Sequence, residues 1–356
     1  MALGVPSIVV PFPRRLARLG DFGTGSRASS RLAFVCRCVS AAAVAAPYTV
    51  RLFRALNQAA PDLLHTNGFK MHVLGLWARR RRVPVLWHVR DHVVSRPIMA
   101  RLLRSHAGWC AAAVTNSRRV ADDLRSVCGG RLNIYPIHDG IDLRDFSPSG
   151  PVLDLDALSK MPPANPATVR VGLLATMARW KGHLVFLRAL SLLPATLRIR
   201  AYIVGGALYQ TEGSEFRLAE LRALAAELGI ANKVGFADFV DEPAAAMRAL
   251  DIVVHASTEP EPFGRVIGEA MACGRAVIAS RAAGAVELLT AGVDALTHPP
   301  GNASVLAELI AKLAANAELR ASLGKCGRAA AERCFDRGRP ARQMIPIYRA
   351  LASAAN

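Results

Sequence analysis

Short apolar runs alternate with amphipathic stretches along most of the chain. In its second half, residues 171–174 form an apolar run, followed by an amphipathic stretch over 181–193. Residues 202–204 are apolar and end in Gly205-Gly206. Leu218, Leu221, Leu224, Ala225 and Leu228 recur at helical spacing, and Gly229 closes that helix. Residues 234–236, 252–255 and 276–279 predict further strands, interleaved with helices over 243–249, 263–274 and 285–289. The first half repeats the theme less cleanly. Strands are expected at 7–11, 63–65, 83–87, 112–115 and 132–135, with helices at 72–81 and 118–127. Such alternation predicts an α/β chain: two doubly wound parallel sheets, each covered on both faces.

The pattern also divides the chain. Residues 147–168 carry Pro148, Pro151, Pro162, Pro163 and Pro166 and read as a linker. The expected layout is a first domain over 1–150, a linker over 151–168, a second domain over 169–338, and a last helix over 339–356 packing back on the first domain. Two doubly wound domains make a cleft, with ligands at the carboxyl ends of the strands. The longest apolar stretch, 32–50, is broken by Arg37 and Pro47 and reads as a helix and turn. A membrane helix needs roughly 18–20 apolar residues. The opening MALGVPSIVVPFPRR has no basic segment before its apolar part, so a signal peptide is not expected.

Composition adds two points. Seven cysteines are an odd number, and Cys36-x-Cys38 is too close for the usual zinc spacing, so reduced thiols in the cytoplasm are expected. The charge is unevenly spread. Residues 1–150 hold 22 Lys+Arg, 8 Asp and no Glu, a net of +14 out of the total +18. That asymmetry suggests an anionic partner for the first domain, such as a membrane surface or an acidic acceptor; codon bias towards arginine is the alternative. No nucleic-acid recognition motif is present, and no nucleic-acid partner is expected.

The chemistry concentrates in STEPEPFGRVIGEAMACG, residues 257–274. A strand ends near His255 and a helix starts near Phe263, whose free N–H groups would make an anion site. Gly264 would let a ligand approach the backbone. Val266, Ile267, Ala270 and Met271 make the buried face, and Glu269 projects from the other side between the small Gly268 and Ala272. A carboxylate there can accept two hydrogen bonds from a ribose diol. Glu261 would reach another part of the same ligand. The spacing suits a nucleoside diphosphate sugar. The alternative is that both glutamates only favour the positive helix end, worth about 0.3–1 kcal/mol each.

The run Glu261-Pro-Phe-Gly-Arg-Val-Ile-Gly-Glu269 resembles the E-x7-E motif of retaining glycosyltransferases of family 4, which have the GT-B fold. ATMARWKGHLVFLRAL, YIVGGALYQTEGSEF and AAGAVELL resemble the family's donor domain, in order. HTNGFKMH, LWHVRDHV, VTNSRRVADDL and HDGIDLRDFSP look family-like in the first half. The resemblance covers nearly the whole chain from about Val5 onward. It implies a GT-B enzyme with two Rossmann-like domains facing a cleft. It implies transfer from a nucleotide diphosphate sugar, with no metal and no other cofactor. Lys181 matches the donor-phosphate lysine, Glu261 the glutamate at the donor sugar, and Glu269 the one at the ribose. Gly205, Phe263, Gly264 and Arg265 go with the donor-facing loops. His88 matches a histidine facing the reacting sugar. Asp91 could pair with Arg90 or orient an acceptor hydroxyl. Asn116-Ser117 reads as a helix cap.

Three departures stand out. Thr176 occupies the place of a frequent arginine, and Arg179 is the candidate for that second cation. Asp139 replaces a usual asparagine before Gly-Ile-Asp. The family's opening strand, Gly-rich loop, helix and second strand are not found, which would leave an unpaired sheet edge and reads as a truncated gene model. The expected activity is retaining transfer to a glycan or lipid-linked acceptor in cell-envelope or exopolysaccharide biosynthesis. Peripheral contact with an anionic membrane through the basic first domain is expected. A nucleotide-sugar 2-epimerase, or an impaired nucleotide-sugar-binding remnant, are the alternatives.

Overall fold

A computed structural model describes residues 4–14, 16, 31–206 and 215–354, with side chains inside the first long helix described from residue 43. The chain forms two compact units, Met1–Ile137 with Ala341–Asn356, and His138–Pro340.

The first unit runs α1 (Arg31–Ala59), β1 (Leu64–Asn67), α2 (Phe69–Ala78), β2 (Val85–Val89), α3 (Pro97–His106), β3 (Ala112–Thr115), α4 (Arg118–Cys128) and β4 (Ile134–Pro136). Its strands pair in parallel in the order β1-β2-β3-β4. Strand alternation divides the core into two layers. Val85, Trp87 and Val89 face Val73, Leu103 and Leu124 of the helices. Leu86, Val114 and Ile137 face Met344, Ile347 and Leu351 of the C-terminal helix.

Two expectations change here. Residues 7–11 form no strand: Pro6, Pro11 and Pro13 bracket the run, and Val5, Ile8 and Val9 are exposed. Residues 32–50 are not a helix and turn but part of α1, which continues through Pro47. Proline removes one intrahelical bond, and packing of Ala45 and Tyr48 on Leu74 holds the helix across it.

The second unit contains α5 (Leu155–Leu158), β5 (Val169–Leu174), α6 (His183–Ser191), β6 (Ile199–Val204), α7 (Leu218–Glu227), β7 (Val234–Ala237), α8 (Pro243–Arg248), β8 (Ile252–His255), α9 (Arg265–Ala272), β9 (Ala276–Ser280), β10 (Leu296–His298), α10 (Ala303–Ala315) and α11 (Ala317–Cys334). The last helix, α12 (Gly338–Ser353), begins here and continues into the first unit. The six strands are parallel in the order β10-β9-β8-β5-β6-β7. Chain order therefore reverses between β5 and β8, and the loops leaving these two strands diverge from a switch point.

The boundary falls at 137/138 rather than 150, because the segment from His138 onward is fastened to the second unit. Ile141 is buried and its N–H donates to Phe335 O at 2.6 Å. The proline-rich stretch is not a free linker either. Leu155 is fully buried. The buried Asp156 accepts from Arg170 Nη2 (2.8 Å), Arg200 Nη1 (3.0 Å), Tyr202 OH (2.7 Å) and Ala164 N (3.0 Å).

Candidate functional site

The loops at the switch point are welded by a glycine. Beyond β5 the chain makes a 3-10 turn over Arg179–Lys181, then Gly182 at φ +81°. A Cβ on Gly182 would lie 1.9 Å from Ala256 O, in the loop after β8. Thr258 N donates to Trp180 O at 2.8 Å, closing the same seam. Gly182→Ala should therefore push the loops apart and also force alanine into the left-handed region, at a cost of at least about 1–2 kcal/mol. Thermal denaturation would show a lower melting temperature.

The seam brings Lys181 to Glu261: Nζ lies 2.5 Å from Oε1. The other carboxylate oxygen accepts from His255 Nε2 at 2.7 Å and from Ser257 Oγ at 2.5 Å. Ser257 is fixed in turn, its carbonyl accepting from Ser280 Oγ at 2.6 Å. A third loop clasps the Glu261 backbone, whose N–H donates to Ala282 O and whose carbonyl accepts from Gly284 N. Glu261 is 6% exposed. Burial alone would raise its pKa. The charges and hydrogen bonds of His255 and Lys181 outweigh burial and hold it well below the usual carboxylate range. Because an ionised carboxylate only accepts, Nε2 of His255 carries the proton. Its Nδ1 is buried and has no partner among the described residues. The Lys181 ammonium also lies 4.1 Å from the Trp180 ring centroid.

Glu269 lies on α9, mostly buried, with Oε1 3.2 Å from Arg265 Nη2 one turn away. Burial raises its pKa, and Arg265 partly opposes that. Gly264 caps α9 at φ +87°, a left-handed conformation that favours glycine. Gly268 does not leave room for a ligand beside Glu269. A Cβ there would lie 2.6 Å from Ile141 Cδ1 and 3.1 Å from the Phe335 ring, so it serves helix packing. Phe263, expected at the donor, has its ring in the core, edge-on to Phe335 at 6.0 Å. Gly205 takes φ +154°, and a Cβ would meet Ala175 O at 1.8 Å, so it lets β6 close on the loop after β5. Arg179 pairs with Glu220 at 3.2 Å and lies over the Phe216 ring at 4.4 Å.

His88 belongs to the first unit, at the end of β2, with its ring 5.2 Å from that of His65. Asp91 bonds Arg96 and accepts from His92 N. Ser117 caps α4 by accepting from Val120 N at 3.2 Å. Among the described residues, no group of three or more His, Cys, Asp or Glu is placed to hold a metal ion.

Sequence reasoning missed His255 and Ser257. The available signal was their place at the end of a strand, immediately ahead of the acidic loop.

Comparison with known proteins adds the family. Residues 162–330 match the family model described as glycosyl transferases group 1, and residues 27–145 match glycosyltransferase family 4. The structure superposes on Anabaena HepE in complex with UDP at a TM-score of 0.74 and 26% identity, covering 85% of this chain and 82% of that one. The fold is GT-B. The sucrose-phosphate synthase of Thermosynechococcus elongatus also reaches a TM-score of 0.74 at 26% identity, covering 86% of this chain and 78% of that one.

Among curated proteins, a D-inositol 3-phosphate glycosyltransferase of Xylanimonas cellulosilytica is 29% identical over 67% of this chain and 56% of its own length. A lipopolysaccharide core biosynthesis glycosyltransferase of Rhizobium meliloti is 27% identical over 52% of this chain and 50% of its own length. The GT-B chain thus spans about half the length of these curated relatives.

Proposed function

We propose that the chain is a retaining glycosyltransferase that moves a sugar from a nucleotide diphosphate donor to a glycan or lipid-linked acceptor, in cell-envelope or exopolysaccharide assembly. The observation that carries this reading is the buried Lys181–Glu261 pair at the switch point of the second sheet, one loop ahead of α9. The complexes of HepE with UDP and UDP-glucose, and the names of the curated relatives, support a nucleotide-sugar donor and a glycan acceptor.

In this reading the bond between the sugar's anomeric carbon and the diphosphate oxygen breaks, and the electron pair leaves with the oxygen. Lys181 meets that growing negative charge, and the free N–H groups of α9 share it. Donor binding thus exchanges a carboxylate partner of Lys181 for a phosphate. Glu261, released on one oxygen and still held by His255 and Ser257 on the other, faces the donor sugar. The acceptor hydroxyl attacks from the face the diphosphate leaves, and its proton passes to the departing phosphate. Glu269 accepts from the ribose hydroxyls, Arg179 contributes a second cation, and His88 faces the reacting sugar. No metal takes part. Cytoplasmic placement goes with this reading.

Glu269→Ala should then raise the donor dissociation constant roughly 10- to 100-fold, the loss of charge-assisted hydrogen bonds, with a smaller effect on turnover. Calorimetric titration with UDP-glucose would measure it. The reading as a whole is tested by incubating the full chain with nucleotide sugars and candidate acceptors, with and without a chelator. Chelator-resistant product with the donor's anomeric configuration, read by NMR, supports it. An epimerised sugar nucleotide formed without acceptor would overturn it.

A further inference from the structure

The first unit carries an exposed feature that sugar transfer does not use. Trp77, near the end of α2, is 49% exposed, and Trp109, in the turn after α3, is 61% exposed. His106 joins them: Trp77 Nε1 donates to its Nε2 at 2.9 Å, and its ring lies 5.1 Å from Trp109. The Nδ1–H of His106 is satisfied by Leu102 O at 2.8 Å, so the imidazole is fixed between the two indoles. Helical spacing continues the apolar strip along α3. Met99 and Leu103 face the core, while Ile98 and Leu102 fall on the side that leads to Trp109, and Ile98 is exposed.

Arginines border this strip on both sides. Arg101 and Arg104 are exposed along one edge of α3. The loop after α2 reads Arg79-Arg80-Arg81-Arg82. Arg79 ties that loop to the strip by donating to Trp109 O at 3.1 Å. Arg81, Arg82, Arg101 and Arg104 have no acidic partner among the described residues. From residue 63 to 121 the sequence holds Lys70 and ten arginines against one acid, Asp91, which Arg96 engages.

We propose that this strip is a docking surface for an anionic lipid bilayer. Exposed tryptophans settle at the headgroup level, where the ring is in an apolar setting and the N–H stays near polar groups. Ile98 extends the apolar contact. The flanking arginines reach anionic headgroups while their stems lie on the acyl boundary. Four unpaired cations around the patch oppose pairing with a second copy of the same surface, and two exposed indoles with an exposed isoleucine on the neighbouring helix suit acyl chains better than a polyanion. Among the described residues no helix is long and apolar enough to cross a membrane, so the contact is peripheral. The inference rests on the first unit alone and stands or falls separately from the transferase reading.

The test is flotation of the full chain with vesicles of phosphatidylcholine, with or without 30 mol% phosphatidylglycerol (about one lipid in three), at low and high salt. The protein should float with the anionic vesicles, at least tenfold more than with neutral ones, and salt should release it. Changing Arg81, Arg82, Arg101 and Arg104 together to Gln should lower partitioning roughly 100-fold or more. Lipids brominated near the headgroup should quench fluorescence of the unaltered chain but not of the Trp77→Phe, Trp109→Phe double variant, whose remaining tryptophans lie elsewhere. Circular dichroism should show both variants folded, as all these positions are exposed. Equal binding to neutral vesicles, unchanged binding by the arginine variant, absence of quenching, or preference for DNA over anionic vesicles would each overturn the proposal.

Discussion

Glu261→Gln should reduce turnover roughly 100- to 1000-fold, the scale for losing a preorganised electrostatic contact at a reacting centre. The donor dissociation constant should change by only a fewfold. The present carboxylate takes one hydrogen bond from Lys181 and two from His255 and Ser257, so both oxygens are needed as acceptors. A Gln amide has one oxygen. Its NH2 must face either the ammonium or the imidazole N–H, and one donor is left opposing another. The variant therefore loses charge and geometry together, and its melting temperature should fall as well. Comparing turnover with donor affinity separates the two losses. A variant that is merely unfolded loses both, whereas one that has lost its reacting-centre carboxylate still binds donor.

The same network fixes a pH expectation. The folded-state pKa of Glu261 lies below its unfolded value, so its contribution to stability is present above about pH 4.3. It is lost only as pH falls from there through the lower folded value. Any acid limb of the kcat/KM profile above about pH 5, which reports the free enzyme, must then come from another group. A kcat/KM profile whose acid limb is unchanged in Ser257→Ala would agree.

Asp156→Ala should destabilise the second unit by about 3–5 kcal/mol, the cost of removing one partner from a buried charge cluster. The loss leaves Tyr202 OH, at 0% exposure, and Ala164 N without their acceptor. Arg170 and Arg200 retain some access to water, with side-chain exposures of 27% and 15%, which places the effect towards the lower end. Burial raises the Asp156 pKa, but the bonds from Ala164 and Tyr202 and the charges of Arg170 and Arg200 outweigh it, and the net shift is downward. Its stabilising contribution is thus present above about pH 3.9 and is lost as pH falls towards the lower folded value. Urea unfolding of the variant near neutral pH, followed by far-ultraviolet circular dichroism, measures the difference.

Much of the architecture is legible in the sequence because parallel strands covered on both faces are short apolar runs. Residues 112–115 and 252–255 are strands with the bounds that their apolar runs suggest. The helices over 303–334 are not marked in that way. Asn302 and Asn316 cap them, accepting from Val305 N and Leu319 N, but a lone asparagine gives little warning without a strand beside it. The proline-rich stretch misleads for a related reason. Proline density reports irregular backbone, whereas the packing of Asp156 depends on Arg170, Arg200 and Tyr202, which are distant in sequence.

At the site, the glutamates were legible through their spacing, but their surroundings were not. Gly268 serves Ile141 and Phe335, and the second acceptor oxygen of Glu261 is filled by His255 and Ser257. The packing of Gly268 needs Ile141 and Phe335, which are distant in sequence, and the pairing of Lys181 with Glu261 needs the sheet order that brings β5 beside β8.

The central claim is that the Lys181 loop and α9 together grip a nucleotide diphosphate sugar. Calorimetric titration of the full chain with UDP-glucose, and then with donors of other bases and sugars, tests it most directly when repeated on Lys181→Ala and Glu269→Ala. The account predicts saturable binding of at least one such donor by the unaltered chain, weakened at least tenfold in each variant. Binding of none of these donors, or binding that both variants retain unchanged, would contradict it.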